Sequence, residues 1–288
     1  MDSAIEIKDL KKSYRGFALN GLSFFLPQGY IMGLVGPNGA GKTTIIKLIM
    51  NLIRKEGGEI KVFGKDHLRN EAEIKSRIGF VYEIPYFYDD VSLADIKSAV
   101  ALFYRNWDEK LFLSLCGEFG LPLHKVFKKL SHGMKMKFSI ALALSHDADL
   151  LIMDEPTSGL DPVFRRELLE RLSGLIQDEK KSVLFSTHIT SDLEHVADYI
   201  TFIKDGNVIF ASTEDEIKEN WGIIKGGKEL LNGQDRKLFR GCRDTAFGFE
   251  ALTSDLQEAR RVFSSGAVIE PASIEDIMVF MDKGEAHG

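Results

Sequence analysis

Near its N-terminus the chain reads Gly36-Pro37-Asn38-Gly39-Ala40-Gly41-Lys42-Thr43-Thr44. This stretch fits the pattern G-x-x-x-x-G-K-[ST], in which glycines let the backbone turn tightly and point successive N–H groups at phosphate oxygens. An apolar run ends just before it at Val35, and a helix-like segment follows it. A helix N-terminus adds partial positive charge at the same place. We therefore predict a nucleotide-binding phosphate loop formed by all nine residues.

Two side chains of this loop have particular predicted roles. Lys42 would reach the outer phosphates of a nucleotide, and the Thr43 hydroxyl would bind Mg²⁺. A chance glycine-rich turn is the alternative, but the order of strand, loop and helix disfavours it. The loop by itself does not choose among ATPases, GTPases and kinases.

A second run, residues 149–156, has the pattern of a buried strand that ends in two carboxylates, Asp154 and Glu155. We interpret Asp154 as a ligand in the Mg²⁺ shell and Glu155 as the catalytic base that polarises the attacking water. An acidic pair on the surface is the alternative. The residues that follow, Thr157-Ser158-Gly159-Leu160-Asp161-Pro162, disfavour a surface acidic pair, because they extend the two carboxylates into a longer motif.

Composition limits the function classes that remain. The chain has 288 residues, 44% hydrophobic and 28% charged, which is typical of a globular protein with a sizeable core. The net charge of −6 shows no basic excess, so we expect no nucleic-acid partner. No run approaches the roughly 18 apolar residues of a membrane span, and the charged N-terminus does not resemble a signal peptide. We expect a cytoplasmic protein whose two cysteines, Cys116 and Cys242, are reduced thiols.

Short apolar runs alternate with helix-like segments over residues 1–211. Between about residues 92 and 146 the apolar positions recur at helical spacing, as in Leu93, Ile96 and Val100. This alternation predicts an α/β core around a mostly parallel, buried sheet, with a helical subdomain at about 84–147. The pattern weakens afterwards, so we expect residues 212–288 to form a small C-terminal accessory region of α+β type.

Four further motifs follow the phosphate loop in order: Leu130-Ser131-His132-Gly133, Asp154-Glu155, Ser158-Gly159-Leu160-Asp161 and His188. In this combination the chain, from about residue 4 to residue 211, resembles the ATP-binding cassette (ABC) family. The resemblance implies a P-loop NTPase core of ABC type, with an N-terminal antiparallel β subdomain and a helical signature subdomain. It also implies that the protein binds ATP with Mg²⁺ and hydrolyses ATP.

The signature motif is the part that implies a dimer. Ser131 is a plausible N-cap of the following helix, where its hydroxyl and free backbone amides form an anion site. In the family, Ser131 and Gly133 would close on ATP held by the phosphate loop of a second subunit, and Ser158, Gly159, Leu160 and Asp161 would lie at the dimer seam. His132 and Met134 depart from the usual L-S-G-G-Q, and such variants resemble bacterial exporter subunits. His132 is equally consistent with phosphate contact and with a solvated surface position.

Three more residues take roles only through the resemblance. Tyr14 matches the aromatic that stacks on adenine, although a tyrosine at the edge of the core is the alternative. His188 matches the histidine that contacts the γ-phosphate and orients water and Glu155. Glu83 stands where the family has a glutamine that senses Mg²⁺ and couples to the membrane subunit; an ordinary loop glutamate is the alternative.

The function implied is that of an ATPase subunit of an ABC transporter, with export as the expected direction. Its partners would be an integral membrane subunit and a second ABC subunit, identical or not, and it would be peripheral on the inner face of the membrane. Tyr86-Phe87-Tyr88 is equally consistent with a docking surface and with packing inside the helical subdomain. A soluble ABC-type ATPase acting on a ribosome, DNA or an assembly scaffold is the alternative. A phosphate-loop kinase explains fewer of the motifs.

Overall fold

The structure is a computed structural model that describes residues 2–232, 237–263 and 266–283. It divides into two compact units, Met1–Ala211 and Ser212–Gly288. Residues 233–236, 264–265 and 284–288 of the second unit lie outside the described residues, as does residue 1 of the first. Each unit is described by itself below. No helix in the described part of the chain is long and apolar enough to span a membrane.

The first unit contains strands and helices in alternation. Its strands are β1 (Ser3–Tyr14), β2 (Phe17–Pro27), β3 (Ile31–Val35), β4 (Gly57–Val62), β5 (Lys65–Asp66), β6 (Ile78–Val81), β7 (Leu150–Asp154), β8 (Ser182–Thr187), β9 (Tyr199–Lys204) and β10 (Asn207–Thr213). Its helices are α1 (Lys42–Ile49), α2 (Glu71–Ser76), α3 (Leu93–Ala101), α4 (Glu109–Glu118), α5 (His132–Leu144), α6 (Pro162–Leu175) and α7 (Thr190–Val196).

A six-stranded sheet in the order β10-β9-β3-β8-β7-β6 forms the centre of this unit. The pairs β9–β3, β3–β8, β8–β7 and β7–β6 are all parallel. Strands β3, β7 and β8 are buried along their whole length, which explains their continuous apolar runs. The carboxyl ends of β3, β7 and β8 therefore meet at one edge, which is where ligands bind in such sheets.

A second, antiparallel sheet in the order β2-β1-β4-β5 lies in the N-terminal part of the first unit. Its buried side chains, among them Ile5, Leu10 and Leu26, share one hydrophobic core with α1 and the central sheet. Together with the parallel sheet, this confirms the predicted fold class, a mixed α/β core with an antiparallel β subdomain.

Between β6 and β7 the chain is helical, with α3, α4, α5 and a 3₁₀ turn at Phe127–Lys129. Three side chains cap these helices: Ser92 accepts from Asp95 N at 3.2 Å, Asp108 from Leu111 N at 2.9 Å, and Ser131 from Met134 N at 3.2 Å. Such caps satisfy backbone donors that have no partner within the helix. The three consecutive aromatic residues, Tyr86-Phe87-Tyr88, do not share one environment: two are exposed, as a docking surface requires, and one is packed inside the helical part. Tyr86 and Tyr88 are exposed, whereas Phe87 packs edge-on against Phe127 and Phe138.

The second unit has a four-stranded antiparallel sheet in the order β12-β13-β11-β14. Its strands are β11 (Gly222–Gly226), β12 (Phe239–Thr245), β13 (Gly248–Thr253) and β14 (Ala267–Pro271), and its helices are α8 (Glu214–Asn220), α9 (Leu256–Val262) and α10 (Ile274–Lys283). One core cluster joins Ile224, Phe249 and Ala251 on the strands with Ala259 and Phe263 at α9. The sequence pattern predicts strands at about 247–252 and 267–269 and a helix at about 273–282, which correspond to β13, β14 and α10. It does not predict β11, β12, α8 or α9.

Candidate nucleotide and magnesium site

The predicted phosphate loop connects β3 to α1 at the carboxyl edge of the central sheet. Gly36 follows the last residue of β3, and a Cβ there would lie 2.1 Å from the carbonyl oxygen of Ile203, so only glycine fits. Gly41 is the N-cap of α1 with a φ of 114° and is enclosed by Phe17 and Leu19, which again requires glycine. Helix α1 therefore points its free N–H groups into the loop, as expected for a phosphate site.

Lys42 is buried at the start of α1, and its position is set by the loop itself. Its Nζ donates to the carbonyl oxygens of Gly36 at 2.8 Å and Pro37 at 3.3 Å, and lies 3.4 Å from Glu155 Oε1. A buried ammonium needs such partners because desolvation is costly. Two of these partners are neutral carbonyl oxygens and the third is a single carboxylate, so a triphosphate with several negative charges is the stronger partner, and the lysine is placed to exchange them for phosphate oxygens.

Asp154 is the last residue of β7 and is fully buried. Its Oδ1 accepts from Ser186 Oγ at 2.6 Å, while its Oδ2 has no hydrogen-bond partner among the described residues. Burial raises the pKa of Asp154, and hydrogen bonding by Ser186 and proximity of the Thr43 hydroxyl partly offset that rise. A buried carboxylate oxygen without a partner requires an explanation, and a cation is one that fits.

The donors around Asp154 fit Mg²⁺ rather than a metal held by protein side chains alone. The described residues contain no group of three or more His, Cys, Asp or Glu that could hold a metal ion. Mg²⁺ is usually bound by one or two carboxylates together with substrate phosphates and water. Asp154 Oδ2 and the Thr43 hydroxyl could supply hard oxygen ligands of that kind, and Glu83 lines the same cleft as Thr43.

Glu155 follows Asp154 in an unusual backbone conformation, with a φ of 47°. Non-glycine residues in this region are strained, and such strain concentrates at functional sites. The Glu155 N–H donates to Ser186 Oγ at 2.9 Å, and Oε2 accepts from His188, whose Nδ1 lies 2.7 Å away and whose backbone N lies 3.3 Å away. Because an ionised carboxylate only accepts, Nδ1 of His188 carries the hydrogen in this pair.

Ser186 is a functional residue that the sequence analysis did not identify. It lies opposite Asp154 in the parallel pairing of β7 with β8. Its one hydroxyl both donates to the Asp154 carboxylate and accepts from the Glu155 backbone, so it orients both acidic residues. The available signal was a serine within the apolar run 182–187, which is fully buried.

An open cleft of about 740 Å³ lies over the phosphate loop. It brings together most of the predicted nucleotide and metal residues; its lining is Tyr14, Phe17, Asn38, Gly39, Ala40, Gly41, Lys42, Thr43, Thr44, Glu83, Glu155, Ser158 and His188. Tyr14, at the end of β1, is 47% exposed, and the Nζ of Lys12 lies over its ring at 5.3 Å from the ring centre. Gly36 and Pro37 do not line the cleft, but their carbonyl oxygens accept hydrogen bonds from Lys42, which does.

The signature residues Ser131 and Gly133 are not among the residues that line this cleft. They lie instead at the start of α5, against the predicted seam loop: a Cβ on Gly133 would be 3.6 Å from Gly159 O and 3.9 Å from Leu160 Cδ2. Gly159 has a φ of 70° and packs on the ring of His132. The signature motif and the seam loop of one chain thus form one continuous surface.

Asp161 ends that loop and begins α6. The dipeptide Asp161-Pro162 predicts a helix start, with Asp161 as the N-cap and Pro162 in the first turn. In the structure the Asp161 Oδ1 accepts from Phe164 N at 3.0 Å, and Pro162 begins α6. That hydrogen bond and nearby Lys137 lower the pKa of Asp161. Asp161, as the anionic cap of α6, therefore fixes the end of the seam loop.

Comparison with known proteins identifies the class that this fold and site define. The ABC transporter family model matches residues 19–158. The lantibiotic transport ATP-binding protein SrtF of Streptococcus pyogenes is 36% identical over 80% of this chain and 96% of its own length. The bacitracin transport ATP-binding protein BcrA of Bacillus licheniformis is 33% identical over 76% of this chain and 72% of its own length.

A solved structure of an ATP-binding subunit of an ABC transporter superposes with a TM-score of 0.67 at 30% identity, over 75% of this chain and 92% of that one. A dimeric, post-hydrolysis ATP-binding cassette, MJ0796, shares the fold with a TM-score of 0.64 at 21% identity, over 73% and 98%. The chain belongs to the ABC transporter family. It is an ATP-binding ATPase subunit, which confirms the main prediction and not the soluble alternative.

Proposed function

We propose that two ABC subunits, of which this chain is one, sandwich two MgATP molecules and hydrolyse them to drive a separate membrane subunit. The observation that carries this proposal is the division of the predicted site. The cleft gathers the phosphate loop, Glu155 and His188, whereas Ser131 and Gly133 do not line it and lie beside Gly159 and Leu160 of the seam loop. A signature motif that does not reach its own nucleotide is suited to reach that of a second subunit.

Within one cleft, each residue has a role that its contacts support. The N–H groups of the loop would bind the phosphates, and Lys42 would leave Gly36 O and Pro37 O for the outer phosphates. Thr43, Asp154 and Glu83 would hold Mg²⁺, which when bound neutralises charge that develops on the phosphates. Glu155 would take the proton of the attacking water, and His188 would keep its carboxylate in place and contact the γ-phosphate.

A groove beside the cleft is the proposed docking site for the membrane subunit. It has a volume of about 420 Å³ and lies between the segment after Glu83 and helices α3 and α5, with Pro85, Tyr86 and Tyr104 among its lining residues. Exposed apolar side chains are present nearby in the sequence, notably Phe103, which is 80% exposed. Glu83 lines the nucleotide cleft and Pro85 lines the groove, so the short segment between them links the two.

The cellular setting follows from these partners. A subunit that takes ATP from the cytoplasm and docks on a membrane protein would be peripheral on the inner face of the membrane. Export is the direction we propose. The signature variant with His132 and Met134 supports it, as do relatives named for lantibiotic and bacitracin transport.

The dimer is tested with Glu155→Gln, which should bind MgATP but turn over slowly and so accumulate a dimer that light scattering after size exclusion detects. In that background, Ser131→Ala should weaken the dimer. Ser92→Ala removes an equivalent helix cap at α3 and should leave it intact, because both changes cost about 1 kcal/mol of cap energy. If Glu155→Gln, with or without Ser92→Ala, neither retains MgATP nor dimerises at high protein concentration, the proposal is wrong.

The membrane partner is tested by recovering the tagged chain from a detergent extract. An integral membrane protein should accompany it, and Tyr86→Asp, a change at an exposed residue that lines the groove, should abolish that recovery. Phe25→Asp, a change of an exposed phenylalanine on β2 that does not line the groove, should preserve it. Equal recovery with both variants would remove the groove from the proposal.

A further inference from the structure

Asp192, in the first turn of α7, is a buried acidic residue outside the nucleotide cleft; it is only 1% exposed. Both of its carboxylate oxygens are engaged. Oδ2 accepts from Thr157 Oγ1 at 2.7 Å, and Oδ1 accepts from Arg165 Nε at 2.5 Å. A second nitrogen of Arg165 donates to Ser191 Oγ at 3.0 Å. Burying a carboxylate is costly unless its contacts are good, so this arrangement calls for a function.

The three segments that Asp192 joins are those that carry the proposed chemistry. Thr157 lies two residues after Glu155, and Asp192 lies four residues after His188. Arg165 lies in α6, directly after the seam loop. The Asp192 carboxylate therefore connects the segment that follows Glu155, the proposed base, with helix α7, which follows His188.

The backbone of Glu155 explains why such a connection is useful. Its left-handed φ of 47° is strained and persists only where the surroundings hold it. On the preceding side, its N–H is held by Ser186 Oγ at 2.9 Å. On the following side, Ser158 N donates to Glu155 O at 3.1 Å, and Thr157 is held by Asp192. The strained residue is thus fixed from both directions.

We propose that Asp192, acting through Thr157, is a positioning residue for ATP hydrolysis. It holds the segment after Glu155 against α7, and so keeps the Glu155 carboxylate at 2.7 Å from His188 Nδ1. Asp192 does not line the nucleotide cleft, so it acts on turnover and not on nucleotide binding. The inference rests on the proposed role of Glu155 as the base.

A purely structural role is the competing explanation, and Thr157 separates the two. Thr157→Val keeps the shape of the buried side chain and removes the hydroxyl, whereas Thr157→Ser keeps the hydroxyl. Asp149→Asn serves as the matched control. Asp149 lies just before the other end of β7 and pairs with Arg77 Nε at 2.6 Å, so its loss breaks an ion pair away from the cleft.

The measurements are kcat and KM for MgATP, the Kd for MgATP, and the melting temperature, with rates expressed per nucleotide-binding site. We expect Thr157→Val to lower kcat by about 10- to 100-fold, the scale of a misplaced catalytic group. Its Kd should stay within about threefold of the wild-type value. Thr157→Ser should restore most of kcat, and Asp149→Asn should keep the wild-type kcat even where it melts earlier. Thr157→Ala replaces Thr157→Val if the latter is not recovered folded.

The inference is wrong if the variant without the hydroxyl turns over within about twofold of wild type, or if its kcat falls only as far as that of Asp149→Asn. It is also wrong if the Kd for MgATP rises as much as kcat falls. The Glu155→Gln protein separates this failure from that of the proposed function. An inactive Glu155→Gln with a fully active Thr157→Val overturns only the role of Asp192, whereas an active Glu155→Gln overturns the assignment of the base.

Discussion

His188 Nδ1 lies 2.7 Å from Glu155 Oε2, and the other oxygen of the same carboxylate lies 3.4 Å from Lys42 Nζ. One acidic side chain therefore contacts both the lysine of the phosphate loop and the histidine after β8. In the proposed reaction, in which Lys42 turns to phosphate, Glu155 would keep its hydrogen bond from His188 and so stay positioned for its proposed role as the base.

The first prediction concerns that hydrogen bond. His188→Ala should lower kcat by about 10²-fold or more, because Glu155 then loses its 2.7 Å hydrogen bond from the ring and keeps only the longer one from the backbone N, and the γ-phosphate loses its proposed contact. MgATP binding, measured by titration calorimetry, should change little, since the loop and Lys42 are intact. His195→Ala, an exposed histidine in α7 outside the cleft, is the control and should be fully active. Equal activity of the two variants would refute the role of His188.

The second prediction concerns Mg²⁺. Asp154→Asn keeps the size of the side chain but removes its charge, so Mg²⁺ should no longer increase the affinity for ATP. Because burial raises the pKa of Asp154, protonation competes with the cation, and wild-type MgATP affinity should fall as pH is lowered. The comparison is ATP affinity with Mg²⁺ and with EDTA across pH. Asp149→Asn should behave as wild type, and a persistent effect of Mg²⁺ in Asp154→Asn would contradict the assignment.

The sequence predicted the parts of the site that are encoded locally. The phosphate loop, the strand ending at Asp154 and the helix caps Ser131 and Asp161 each depend on residues within a few positions, so a pattern captures them. The sequence did not predict Ser186 as a site residue, because its contacts depend on the register of β8 against β7, which no local pattern specifies. Asp192 was not predicted for the same reason, because its partner Thr157 lies 35 residues away in the sequence.

The second unit was harder to predict because its elements are short and carry weak patterns. Strand β12 has only one fully buried position, Gly241, so it shows no clear alternation. Strand β11 begins and ends with glycine, which is depleted in strands. Helices α8 and α9 have seven residues each, too few to establish a helical period. Tertiary packing around Ile224 and Phe249, rather than local preference, determines these elements.

The third prediction concerns the seam loop. Gly159→Ala places a Cβ 2.8 Å from His132 Cδ2 in a left-handed backbone with a φ of 70°. It should weaken the ATP-dependent dimer of Glu155→Gln by about tenfold or more, because the new Cβ displaces the seam loop from the ring of His132, whereas the left-handed strain is common to this variant and the control. Gly120→Ala is the control, because Gly120 has a φ of 64° with open space around it. Sedimentation with MgATP measures the effect, and equal weakening by both variants would exclude a specific role for the seam.

The fourth prediction is a pH dependence of stability that originates at His146. Its ring is buried and stacks on Tyr104 at 3.7 Å, and neither ring nitrogen has a hydrogen-bond partner in the described part of the chain. Burial lowers the pKa of His146 to about 4, from an ordinary value of 6.5. The unfolded chain therefore takes up the proton at a higher pH than the folded one. The stabilising effect of the neutral ring is complete above pH 6.5 and is lost as pH falls toward 4.

A difference of this size corresponds to at most roughly 3 kcal/mol between the two ends of that range, enough to lower the melting temperature by several degrees. His146→Phe keeps the stacking on Tyr104 but cannot take up a proton, so its melting temperature should change less between pH 7 and pH 4. Burial also lowers the pKa of His67, which remains in every variant and contributes equally. His124→Gln, a change at an exposed histidine, should keep the wild-type slope. If His146→Phe melts with the same pH dependence as His124→Gln, the acid sensitivity arises elsewhere in the protein.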